Sequence, residues 1–140
     1  MQNRIQYSNL NSEFSRFQAV SLLALPKSMK TFRTLELSEK FYHQTESLRL
    51  SGNLRDQLTR ASSSIALNLS EGNAKPSVKE KRRYYQTAYA SLKECQTILK
   101  LAKIENEEIN EKANFLGACL YKLTVSTLSV MPLPNERKNI

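Results

Sequence analysis

The sequence predicts an all-α protein, an antiparallel up-down-up-down four-helix bundle, and three observations carry that expectation. Proline and glycine are scarce, at four and three in 140 residues, while Leu, Ala, Lys, Glu and Gln are plentiful. Apolar residues recur at alternating spacings of three and four along four successive stretches. The links between those stretches are short, and a seam near period 3.5 packs neighbouring helices at about 20°.

The first helix is expected from about Lys30 to Ser47, with a weakly apolar stripe of Phe32, Leu35, Ser38, Tyr42 and Thr45. "RLSGN" breaks it at Gly52. The second carries Leu54, Leu58, Ala61, Ile65 and Leu69, and Gly72 stands where a C-terminal cap belongs. The third opens on the strongest local signal in the chain. In "SVKE", Ser77 can cap the free amides while Glu80 reaches back, with Pro76 just before. Its stripe is Val78, Tyr85, Ala88, Leu92, Cys95, Leu99 and Ala102. Tyr84, Ser91, Ile98 and Leu101 widen that stripe into a face that can touch two neighbours. Asn106 is the expected cap of the fourth helix, which carries Ile109, Ala113, Leu116, Leu120, Leu123, Thr127 and Val130 and stops at Pro132 and Pro134.

These helices place the bundle at 29–132. Residues 1–28 are rich in Asn, Ser and Gln and form an N-terminal extension, loosely attached or disordered. Met29 opens a stretch that reads as a complete start, so the extension is either an arm or the product of an upstream start codon. Residues 133–140, with "NERKNI", are expected to be a disordered tail. The one brief apolar run of the extension, "AVSLLAL", follows Glu13 and precedes Pro-Lys, unlike a signal peptide. No run approaches the ~20 residues of a membrane span. Cys95 and Cys119 lie within apolar patterns and read as reduced core residues of a cytoplasmic protein.

Catalysis is hard to build from these residues. A carboxylate-bridged di-iron bundle needs two Glu-x-x-His motifs, and His43 is the only histidine. Glu39 and Glu46 flank it, yet an exposed helical His with ion-pairing neighbours is the commoner arrangement. There is no Cys-x-x-Cys and no glycine-rich phosphate loop. No enzyme, metal or cofactor is expected. Asn68 and Ser91 fall near the core side of their helices, where a hydrogen bond between helices is the expected use.

Charge points elsewhere. The chain carries a net +8, of which residues 29–104 contribute +7, with fourteen basic and seven acidic groups. Lys75, Lys79, Lys81, Arg82 and Arg83 cluster at the junction of the second and third helices around one acid, Glu80. Positive charge opposes the dipole at a helix N-terminus, so the cluster is not there to stabilise the helix. Pairing of Arg82 or Arg83 with Glu71 across the turn would absorb one cation and leave the rest for solvent or a polyanion. Tyr84, Tyr85 and Tyr89 follow, as aromatic faces accompany basic patches in RNA binders. Core packing is the expected role of Tyr85, and an interface that of Tyr84 and Tyr89.

Two blocks resemble the small four-helix-bundle proteins called intervening-sequence proteins, some of which are encoded by insertions within bacterial large-subunit ribosomal RNA genes. "QLTRASSSIALNLSEG", Gln57 to Gly72, is similar to the family pattern Q-L-x-R-A-x-x-S-I-x-x-N-I-A-E-G. "SVKEKRRYYQTAYASLKE", Ser77 to Glu94, is similar to S-x-x-E-x-x-R-F-L-x-I-A-x-G-S-L-x-E. Tyr84 and Tyr85 stand where Phe-Leu is usual, Thr87 for Ile and Ala90 for Gly. The similarity spans about Met29 to Val130. It implies an antiparallel bundle that assembles as a homopentamer, and a distant likeness to the accessory protein of diversity-generating retroelements, which binds nucleic acid and a reverse transcriptase.

The reading that follows is a non-catalytic protein that binds RNA, or DNA, through Lys75, Lys79, Lys81, Arg82 and Arg83. The alternative is an oligomeric scaffold, or an accessory to a protein partner such as a reverse transcriptase, whose basic surface serves solubility.

Overall fold

The structure, a computed structural model, describes residues 27–128. The N-terminal extension, Val130, the closing prolines and the C-terminal tail lie outside the described residues, apart from the first residues of helix α1. Four helices and no strand occupy the described chain: α1 (Lys27–Glu46), α2 (Gly52–Ala74), α3 (Val78–Leu101) and α4 (Glu107–Leu128). From Thr31 onward they belong to one compact unit.

The expected core is largely the observed one. Leu58, Ile65 and Leu69 of α2, Tyr85, Leu92, Cys95 and Leu99 of α3, and Ile109, Ala113, Leu116 and Leu120 of α4 are buried in one cluster. Burial of each large aliphatic side chain contributes about 1.5–3 kcal/mol relative to exposure. On α1 the buried face differs from the expected stripe. Thr34, Ser38, Phe41 and Thr45 are buried, while Leu35 and Tyr42 are half-buried. Phe41 supplies the core ring that the periodicity assigned to Tyr42. The buried hydroxyls are tolerated because carbonyls of their own helix accept from them: Ser38 Oγ donates to Leu35 O at 2.6 Å and Thr45 Oγ1 to Tyr42 O at 2.7 Å. Thr45 Oγ1 also meets Ser62 Oγ at 3.2 Å, tying α1 to α2.

Gly72 corrects the expected end of the second helix. It is buried inside α2, which continues to Ala74 and is capped by Lys75, whose N–H donates to Gly72 O at 3.2 Å. The helix stops there because Pro76 disfavours a helical residue before it. Glycine is needed for space instead: a Cβ at Gly72 would lie 2.7 Å from Tyr84 Cβ and 3.1 Å from Tyr85 Cε1. The residue lets α3 approach α2 backbone to side chain.

Ser77 caps α3 as expected, while the Glu80 carboxylate reaches back to the Ser77 hydroxyl and not to its backbone N–H. Glu80 N–H donates to Ser77 Oγ at 3.2 Å, and Ser77 Oγ donates to Glu80 Oε2 at 2.8 Å. Ser77→Ala is expected to cost about 1 kcal/mol, read from a chemical denaturation midpoint; an unchanged midpoint would show that the cap carries no weight. Asn106 likewise caps α4, accepting from Ile109 N–H at 3.2 Å through its side chain. The C-terminus of α3 had no glycine to announce it. Lys103 takes the left-handed conformation at φ 54°, and Lys103 and Ile104 N–H groups donate to Lys100 and Leu99 carbonyls.

Ser91 joins the helices as expected, whereas Asn68 bonds within its own helix and reaches the seam only through Ser64. Asn68 Nδ2 donates to Ser64 O at 2.8 Å and lies 3.0 Å from Ser64 Oγ, which meets Ser91 Oγ at 2.9 Å across the α2–α3 seam. Both cysteines are free and buried. Burial, the largest cause, pushes the Cys95 thiol up to about 12 and the Cys119 thiol up to about 11. Neither forms the reactive thiolate near neutrality. The folded protein is therefore expected to resist Ellman's reagent at neutral pH and to release two equivalents after denaturation. Rapid labelling of the native protein would mean the helices open there.

Candidate nucleic-acid interface

Helix α3 presents the cations, and its cap fixes where they begin. Lys79 and Arg83 are exposed, and Lys81 and Arg82 are half-buried. None of these four makes an ion pair among the described residues. Arg82 Nε is buried without a hydrogen-bond partner among them, a condition that costs free energy unless an oxygen reaches the guanidinium. Lys81 stands apart from the other three. It lies four residues before Tyr85 and eleven before Leu92, on the side of the helix that turns toward the core.

Glu71 is not paired with Arg82 or Arg83. Lys75 takes it instead, four residues later at the C-cap of α2, with Nζ 3.6 Å from Glu71 Oε1. Tyr84 OH donates to the same Glu71 oxygen at 2.9 Å, and Lys75 Nζ sits 5.1 Å from the centre of the Tyr84 ring. Tyr84, first, and then Glu71 hold the Lys75 ammonium charged above the usual lysine range. Lys75 is therefore part of a latch between the end of α2 and the start of α3, and Tyr84 is its ring. The arginines reach no carboxylate among the described residues, and Lys75, the residue that caps α2, stands one turn from Glu71.

The other aromatics divide as their positions require. Tyr85 is buried in the core. Tyr89 is half-buried, 6.4 Å from the Tyr121 ring, and Lys93 Nζ lies 5.2 Å over its face. His43 Nδ1 lies 3.0 Å from Glu46 Oε2 on the exposed side of α1, and the His43 contact, with that of Tyr42, holds the Glu46 carboxyl below its usual range. Among the described residues no group of three His, Cys, Asp or Glu side chains could hold a metal ion. No described helix is long and apolar enough to cross a membrane.

Four helices and no strand among the described residues, with cations at the start of α3 that make no ion pair among them, define the class. Residues 30–123 match the family described as 23S rRNA-intervening sequence protein. The match covers most of the chain, which belongs to that family. No curated protein and no solved structure shows significant similarity to it.

Proposed function

We propose that the protein is a non-catalytic RNA-binding bundle of the cytoplasm that contacts phosphates through Lys79, Arg82 and Arg83, with Lys75 holding the junction in place and Lys81, on the core-facing side of α3, outside the contact set. The observation that carries this reading is the set of α3 cations without a carboxylate partner among the described residues. A solvated helix face usually interleaves acids with its bases. The family name connects its members with sequences that intervene in 23S rRNA, which favours RNA over DNA as the polyanion. A salt titration of labelled RNA tests it: phosphate contacts make affinity fall steeply with salt. Absence of any salt-dependent binding would favour the scaffold reading instead. The position of the gene, within a ribosomal RNA gene or beside a reverse transcriptase, would separate RNA binder from polymerase accessory.

The same proposal includes an up-down-up-down path and self-assembly. Ser64 meets Ser91 while Gly72 meets Tyr84, and Leu92 meets Gly117 while Gln96 bonds Asn114. Each pair of contacts advances along one helix as it retreats along the next, which supports antiparallel neighbours. Leu67, Leu101, Tyr121 and Val125 are exposed, more large apolar surface than a lone bundle of this size needs to leave in water. A homo-oligomer is expected, and a pentamer is the number the family resemblance implies. Light scattering at micromolar concentration should give a multiple of the chain mass; a monomer would reject assembly.

A further inference from the structure

We propose that the RNA site is not confined to the start of α3 but runs the length of that helix, with Lys93 and Lys100 as further phosphate contacts. The proposal rests on the RNA-binding reading above and extends it to residues outside the junction.

Helical periodicity puts Lys79, Arg82, Arg83, Gln86, Ala90, Lys93, Thr97 and Lys100 along one side, opposite Tyr85, Ala88, Leu92, Cys95 and Leu99. Apart from Arg82, every residue of that side is exposed. Neither Lys93 nor Lys100 makes an ion pair among the described residues. The positions between the cations are neutral, and the acids of α3 stand off the stripe: Glu80 is held by Ser77 in the cap, and Glu94 lies on its flank. The described acids of the chain's last third gather on α4 and the link before it, at Glu105, Glu107, Glu108 and Glu111. At 1.5 Å per residue, Lys79 and Lys100 are roughly 30 Å apart.

Two features favour a strand of RNA over a solvated surface. Lys93 is oriented by the Tyr89 ring beneath its ammonium, which reduces the side-chain freedom that a phosphate contact must otherwise remove. A row of cations at successive turns also matches a repeating charge along a polymer, whereas a second copy docking on this face with its own stripe would bring like charge. Lys100 has a bland role as well, since a cation near a helix C-terminus suits the dipole by up to about 1 kcal/mol. That role predicts a stability change on its removal and no RNA effect.

The test uses the full chain and single-stranded oligouridylates of about 5 and about 20 nucleotides, within and beyond the site size of one small binding domain. Lys93→Gln with Lys100→Gln should lower the salt slope for the longer strand by about 1.4, at roughly 0.7 for each lost contact on single-stranded RNA. Binding of the short strand, which the junction can hold alone, should stay near the parent's. A double variant remote from the stripe, Lys40→Gln with Lys122→Gln, removes the same charge and should bind as the parent does. If the stripe variant binds the longer strand like the parent at every salt while a variant with Lys79, Arg82 and Arg83 changed to Gln is weakened, the site ends at the junction and this extension fails alone. An equal loss in the remote variant would reduce the effect to net charge. A changed oligomeric mass with unchanged RNA binding would make the stripe a subunit interface. A parent that binds neither strand overturns the RNA reading itself. Circular dichroism melts of all variants separate folding from binding.

Discussion

Gly72→Ala is expected to destabilise the protein by about 2 kcal/mol, although alanine is the better helix former. Placing alanine for glycine inside an exposed helix gains about 1 kcal/mol. Here the new methyl would lie 2.7 Å from Tyr84 Cβ, an atom held by its own backbone and unable to swing aside. Overpacking of this kind costs about 1–3 kcal/mol or more once helices must separate. Separation would also loosen the Glu71–Tyr84–Lys75 latch, so the net sign is destabilising. Gly117→Ala provides the contrast. Its methyl would meet only Leu92 Cδ2, at 3.2 Å, the tip of a side chain that can yield by a few tenths of an ångström. The propensity gain and the crowding then nearly cancel. Thermal unfolding should show Gly72→Ala melting roughly 10 °C below the parent and Gly117→Ala close to it. Equal behaviour of the two variants would mean that α2 and α3 do not approach at Gly72 as described.

Changing Lys79, Arg82 and Arg83 together to Gln is expected to flatten the salt dependence of RNA binding by about 2 units, since each lost single-strand phosphate contact removes roughly 0.7. Gln keeps the helical propensity of these positions, and none of the three holds an ion pair among the described residues, so the melt should barely move. Arg83 belongs in this set because Glu71 is engaged by Lys75 and Tyr84 and not by Arg83. Lys75 is left out for the corresponding reason: its loss would break the latch and confuse stability with binding. A triple variant that binds RNA as tightly as the parent at every salt would leave the cluster a solvated helix end, and the scaffold reading would take its place.

Some of the candidate site was legible in the residue order. The Ser77 cap and its contact with Glu80 depend on atoms three residues apart, so reading them needs no knowledge of distant parts of the chain. The basic cluster is likewise contiguous, and its presence on α3 follows from where that helix starts. Which cation would be neutralised was not legible. Arg82, Arg83 and Lys75 are all close enough in sequence to Glu71 to compete, and only the packing of α3 on α2, which brings Tyr84 to Glu71 beside Lys75, decides among them. Lys93 and Lys100 are not legible as part of the basic surface for a related reason. They are separated in sequence, and become one row with Lys79 and Arg83 only when the buried side of α3 is known.

By itself the sequence determined four helices, two of their caps, most of the core and an excess of positive charge in the middle of the chain. Each of these depends on short-range rules: backbone propensity, capping geometry and the recurrence of apolar side chains every three or four residues. The tertiary structure decided the rest. Gly72 looked like a helix terminator and is a contact point, because its meaning depends on Tyr84 and Tyr85 arriving from another helix. Ser38 and Thr45 are buried as their spacing predicts, but Phe41 stands in the core in place of Tyr42, because on a weakly amphipathic helix the packing partner decides which of two neighbouring rings is covered. Glu71 chose Lys75 and Tyr84 for the same reason. Where a side chain's neighbours lie within one turn the residue order specifies them; where they come from another helix, the packing of the two helices does.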